Sequence, residues 1–236
     1  MRTMRFVRGA VGVVFLLRTT PALHALGVGW APARMLGWPD GTWKLAAVAI
    51  PPSLVIALVI LRTAGAVLFT AGVVTRWAGL VAALAGWVLL ANDLTAFLNS
   101  LHLLYCATAC IALATRFSTK DRRLVLRALP LSVYAFSGLA KLNASFLSGS
   151  VLRALHDEGT LRGRIADTVT ATATRAQGAS ILVVATELAL GPLLFFRATR
   201  RVGVAVALAF HVVMEVAIGP DVFGWVMVAL LLAFVE

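Results

Sequence analysis

Charge is scarce in this sequence. Asp, Glu, Lys and Arg make up 13% of its 236 residues, where soluble domains run near 25%. Acids are the rarer sign, with ten Asp and Glu against 21 Lys and Arg. With 61% hydrophobic residues, the chain has too little polar surface for a water-soluble globule. Cysteine is almost absent: Cys106 and Cys110 lie four apart on one apolar run. That excludes a disulfide framework and a metal-type cysteine cluster. Small side chains packing inside a bundle are one reading of the two, a thiol pair the other. No repeat, low-complexity tract or linker interrupts the chain, which reads as one domain over 1–236.

What is present is a series of apolar runs that approach the length of a bilayer crossing. The expected spans are Gly9–Val28, Ser53–Val74, Trp77–Phe97, Leu98–Thr115, Ala128–Asn143, Ala179–Phe196, Val202–Ile218 and Val222–Val235. The fold class is therefore an all-α integral membrane protein, a bundle of eight transmembrane helices. The N-terminus, with Arg2, Arg5 and Arg8 before an apolar run, has the look of a signal peptide. Arg18 interrupts that run and further spans follow, so an uncleaved first helix is expected. Gly29–Pro52 is a loop rich in turn formers, with Trp30, Trp38 and Trp43 suited to an interfacial belt. Arg116–Arg127 reads as a basic loop. Ala144–Gly178 reads as one or two short amphipathic helices outside the hydrocarbon.

Charge also gives an orientation. With the N-terminus in the cytoplasm, twelve basic residues fall on the cytoplasmic side, including Arg2, Arg76, Arg122 and Arg200. Only six, among them Arg34, Arg153 and Arg164, fall on the other, although its loops are longer. Both termini are therefore expected in the cytoplasm of a cell with a plasma membrane of this polarity. The net charge of +11 reads as topology and contact with anionic lipid, not as a nucleic-acid surface.

Within this frame the informative residue is Lys141. No charge precedes it from Pro130 onward. An ammonium at bilayer depth costs roughly 3 kcal/mol, so such a lysine faces a cavity or a partner. Tyr134, Ser137, Gly138 and Lys141 share one helix face by spacing. Gly138 leaves room beside the amine. Apolar surroundings favour an uncharged amine, which makes Lys141 a general-base candidate. The alternative is a lysine near a helix end that snorkels to the interface.

The topology places Asp93, Asn99, His102 and Lys141 at similar outer-leaflet depth, with Asn99 and His102 on one face. A base, an imidazole and amide donors in one layer make a candidate site. His102 alone reads as a hydrogen-bonded bundle histidine. Glu187 and Glu215 are mid-span carboxylates, expected to pair with Arg18 and Arg62 inside the bundle. His211 and Glu215 could supply two metal ligands by spacing, but facing helices offer too few further ligands, so no metal is expected.

The run Y-x-x-S-G-L-x-K-L-N-A-S-F-x-x-G, Tyr134–Gly149, resembles the core motif of vitamin K-dependent gamma-carboxylase, A-G-V-K-K-L-D-A-D-W-x-x-G. It equally resembles the bacterial horizontally transferred transmembrane (HTTM) domain that shares that fold. Lys141 falls on the second lysine, the family's catalytic base; Ala140 stands at the first, and Ser145 and Phe146 at the acid and the tryptophan. Leu188–Met214 resembles the carboxylase's apolar stretch, basic turn and F-H-x-M-N run, with Glu187 on its acidic residue and His211 on its histidine. Asp93, Asn99 and His102 resemble a D…N-N-H pattern, with two residues between Asn and His that the family lacks.

The resemblance implies a quinol-driven base. In the carboxylase a neutral lysine deprotonates vitamin K hydroquinone, and oxygen converts the anion to a strong alkoxide base. That base removes a glutamate gamma proton, carbon dioxide adds, and the quinone leaves as its epoxide. Carried over, Lys141 and His102 are the catalytic candidates. Asn99, Tyr134, Ser137, Gly138 and His211 would bind quinone or substrate, and Asp93, Glu187, Glu215, Arg18 and Arg62 would support them. The implied co-substrates are a reduced vitamin K or menaquinol-type quinone, O2 and CO2. The implied partners are the lipid bilayer and a secreted peptide or small molecule at the outer face of a bacterial membrane. The carboxylase's large extramembrane portion has no counterpart between Met1 and Glu236, so quinol chemistry is implied before glutamate carboxylation. Two other functions fit the same resemblance: maturation of a secreted antimicrobial peptide of the sporulation-delaying-toxin type, and a non-catalytic quinone- or lipid-binding scaffold.

Overall fold

The computed structural model describes residues 2–27, 51–92, 99–219 and 222–235. All secondary structure among them is helical. The chain divides into two compact units, Met1–Leu126 and Arg127–Glu236.

The first unit holds α1 (Arg2–Gly27), α2 (Pro52–Ala71), α3 (Thr75–Asn92), α4 (Asn99–Ala114) and the start of α5 (Thr119–Ala140). Proline at the first position of α2 costs no hydrogen bond there. The helix stops at Gly72, whose φ of 83° is left-handed, and its last carbonyls are taken by the amides of Gly72 and Val73. The tight turn after Gly72 sends α3 back along α2. Small residues set the spacing: a Cβ on Gly65 would sit 2.8 Å from the Ala78 carbonyl oxygen of α3. The centre of the unit is Tyr105 of α4. Its ring lies 5.6 Å from that of Phe15 on α1 and fills the space that Gly86 leaves on α3.

The second unit holds the rest of α5, then α6 (Ala144–Leu147), α7 (Ser150–Asp157), α8 (Gly163–Thr170), α9 (Ala173–Phe195), α10 (Arg200–Ile218), α11 (Val222–Leu231) and a closing 3₁₀ turn, Leu232–Phe234. Helices α9, α10 and α11 pack in sequence, with α6, α7 and α8 against α9. Arg127 ties α5 to the C-terminal turn, its Nε donating to the Ala233 carbonyl at 2.8 Å. Leu161, Ala166 and Ala217 form a small apolar core under α8, and the Arg162 amide donates to the Ala217 carbonyl at 2.6 Å.

Each expected span has a helix as its counterpart. Four helices are long and apolar enough to cross a membrane: Ser53–Ala71, Thr119–Ala140, Ala173–Phe195 and Arg200–Ile218. The apolar helices Thr75–Ala91, Ser100–Ala114 and Val222–Phe234 are shorter, so among the described residues length and composition support four of the eight expected crossings. Large apolar side chains such as Ile60, Leu182 and Val216 lie exposed on the long helices, a surface suited to lipid.

Three boundaries depart from the sequence reading. The expected basic loop is the opening of α5, where Ser118 Oγ accepts from the Asp121 amide and donates to the Asp121 carboxylate. Helix α9 begins at Ala173, where Thr172 accepts a hydrogen bond from the Arg175 amide. The segment between α5 and α9 holds three short helices, broken at Gly149, Gly159 and Gly163, all with positive φ.

Candidate functional site

Helix α5 carries Pro130 inside it, leaving one carbonyl without a helical partner. It ends at Ala140, and Asn143 organises the turn into α6. The Asn143 side chain donates to the Ala140 carbonyl and accepts from the Phe146 amide, both at 2.9 Å. One amide thus closes α5 and opens α6. This fixes Phe146 with its ring centroid 5.9 Å from the Lys141 amine.

Lys141 sits at the very end of α5, where a snorkelling lysine would extend outward. Its amine instead turns back along its own helix. Nζ lies 2.5 Å from Ser137 Oγ and 2.9 and 2.8 Å from the two carboxylate oxygens of Glu187 on α9. Ser137 Oγ donates to Glu187 Oε1 at 2.9 Å, closing a triangle of three side chains. The Glu187 side chain is 8% exposed and that of Lys141 27%. The carboxylate is therefore sealed in the helix packing, while the lysine side chain stays partly exposed. Gly138 permits the approach of the two helices, for a Cβ there would meet the Leu188 side chain at 2.8 Å.

Here the structure corrects the expected pairing. Among the described residues the partner of Glu187 is Lys141, not Arg62. The physical reason is economy of buried charge: each group compensates the other's desolvation. A proton can pass between Nζ and the carboxylate without changing the net charge of the pair.

One turn back on α5, the Tyr134 hydroxyl lies 2.8 Å from His211 Nε2 of α10. Both residues are buried, and Phe210 and Phe223 flank the imidazole. Glu215 lies one turn further along α10, and its carboxylate occupies the space that Gly224 of α11 leaves open. The structure thus brings Lys141, Ser137 and Glu187 into one network, and Tyr134 and His211 into another.

The remaining candidates belong to the first unit. His102 on α4 has Nε2 3.5 Å from Cys106 Sγ, with the Trp87 ring at 6.2 Å. Arg62 on α2 donates to the Tyr105 hydroxyl at 3.4 Å. Asp93 lies outside the described residues. Arg18 and Asn99 are helical, in α1 and α4, and their side chains lie outside the described residues.

A shallow hollow of about 440 Å3 in the second unit is lined by Ser150, Arg153, Ala154, His156, Asp157 and Thr170. None of the Lys141 network reaches it. It lies on short polar helices, and nothing in it combines burial with a base. The Lys141 network is the stronger candidate on chemistry.

An all-helical, membrane-type chain with an ion pair at a helix end is the class these observations define. A family model of the HTTM domain matches residues 4–236, and the chain belongs to that family, the one of vitamin K-dependent carboxylase-associated domains. No curated protein and no solved structure matches the chain.

Proposed function

We propose that this protein is a membrane enzyme in which Lys141 takes a proton from a lipid-borne quinol. The single observation that carries this reading is the triangle of Lys141, Ser137 and Glu187, which joins a sealed carboxylate to a partly exposed lysine side chain.

Glu187 and Ser137 hold the amine in place, and Glu187 takes up its proton so that Nζ presents a lone pair. Nζ then accepts the quinol hydroxyl proton, a step for which a positioned base supplies roughly 100- to 10,000-fold. The residues fit such a partner. The lysine side chain is partly exposed, and the Phe146 ring near its amine gives an aromatic wall. A reduced quinone, once oxidised by dioxygen, supplies the strong base that removes a carbon-bound proton from a second substrate. Carbon dioxide is the electrophile that this reading assigns to the resulting carbanion. The second substrate is a peptide or small molecule at the outer face of a bacterial plasma membrane, with both protein termini in the cytoplasm.

Tyr134, Gly138 and His211 are proposed to shape the quinone's place. The test is quinone product formation by wild type and Lys141→Ala under oxygen. Equal activity in the two would leave the charge-balancing scaffold as the better reading.

A further inference from the structure

Arg62 lies halfway along α2, about 15 Å from either end at 1.5 Å per residue, in a helix long enough to cross a membrane. An arginine stem does not span that distance to water. The guanidinium stays protonated under all ordinary conditions, so it cannot shed its charge to suit this depth. Its surroundings supply little compensation. Helices α1 to α4 contain no Asp or Glu. Nη1 donates to the neutral Tyr105 hydroxyl at a long 3.4 Å, while Nε and Nη2 are buried and have no acceptor among the described residues.

The two unpartnered nitrogens are informative because of which two they are. Nε–H and Nη2–H lie on the same edge of the guanidinium plane. That edge is the fork that grips both oxygens of a carboxylate in parallel. In sequence the acids on either side of Arg62 are Asp40 and, nearer to the residues packed around Tyr105, Asp93. Asp93 lies just past the end of α3, seven residues beyond Gly86, the residue that faces Tyr105.

We propose that the Nε/Nη2 edge of Arg62 binds the carboxylate of a lipid-soluble acid that enters from the membrane. Depth selects the ligand: a planar two-oxygen head on an apolar body reaches this level of the bilayer, and a free small anion does not. The inference rests on the first unit alone and is independent of the Lys141 chemistry.

The test uses the full chain in detergent with oleate as the probe and methyl oleate as its uncharged control. Wild type is expected to bind oleate saturably at one site and to melt at a higher temperature with it, and to ignore the ester. Arg62→Gln and Arg62→Lys are expected to bind oleate at least roughly tenfold more weakly, since charge-assisted pairs are the strong ones. Lys keeps the charge and lacks the fork, so it reads geometry even where Gln fails to fold. Circular dichroism confirms that the variants tested are helical. Equal binding of acid and ester, or undiminished binding by folded Arg62→Lys, would overturn the proposal. So would oleate binding that wild type lacks and Asp93→Asn gains, because Asp93 would then be the occupant of the fork.

Discussion

Lys141 and Glu187, 46 residues apart in sequence, meet through both carboxylate oxygens, at 2.9 and 2.8 Å. The contact joins the end of α5 to the middle of α9 and leaves the acid far less exposed than the base. Removing one member of such a pair leaves a buried charge uncompensated, at about 3–5 kcal/mol. Glu187→Ala should therefore lower the melting temperature in detergent clearly, and Glu187→Gln by less. Replacing both residues, Lys141→Met with Glu187→Leu, should recover much of the loss. Wild-type melting in Glu187→Ala would show that the pair does not hold the unit together.

Gly149 gives a second test of how the site is supported. Its φ is 77°, and a Cβ there would run into the Ala176 backbone at the start of α9. Gly138 is confronted chiefly by the movable end of the Leu188 side chain. Overpacking of this kind costs about 1–3 kcal/mol, and the left-handed backbone adds roughly 1 kcal/mol. Gly149→Ala should thus destabilise the protein more than Gly138→Ala in thermal melts. The opposite order would mean that the loop joining α6 and α7 does not seat on α9 as described.

Much of this was legible in the chain. Hydropathy alone located the apolar helices, because a low-charge sequence leaves few alternatives. Spacing put Tyr134, Ser137, Gly138 and Lys141 on one face, and the structure uses three of these side chains in polar contacts. The partner of Lys141 was not legible. Glu187 stood out as a mid-span acid, but spacing within one helix says nothing about which helix faces it. Counting buried charges offered Arg18 and Arg62 equally well. The opening of α5 was legible and passed over: Ser118 and Asp121 have capping-box spacing. The role of Asn143 in joining two helices depended on a turn geometry that no periodicity reveals.

Orientation is tested by labelling. Lys120, in the first turn of α5, and Arg164, in α8, are both exposed. In a background of Cys106→Ser and Cys110→Ser, Lys120→Cys should react with an impermeant maleimide only from the cytoplasmic side. Arg164→Cys should react only from outside. The reverse pattern would invert the proposed placement of Lys141 and of its substrates.

The central claim is that Lys141 accepts a proton from a quinol. The direct measurement is quinone epoxide formed from a reduced vitamin K-type quinone under oxygen, by purified wild type and Lys141 variants. Lys141→Ala leaves Glu187 without its partner and should melt at a lower temperature, and the folded variant, checked by circular dichroism, should lose roughly 100-fold or more of the rate. A small added amine should restore part of it by entering the space that the side chain leaves. Lys141→Arg should stay inactive, because a guanidinium does not give up its proton. Epoxide formation by wild type, its loss in Lys141→Ala and its partial return with amine is the result expected. Equal epoxide from wild type and Lys141→Ala, or none from either, would contradict the claim.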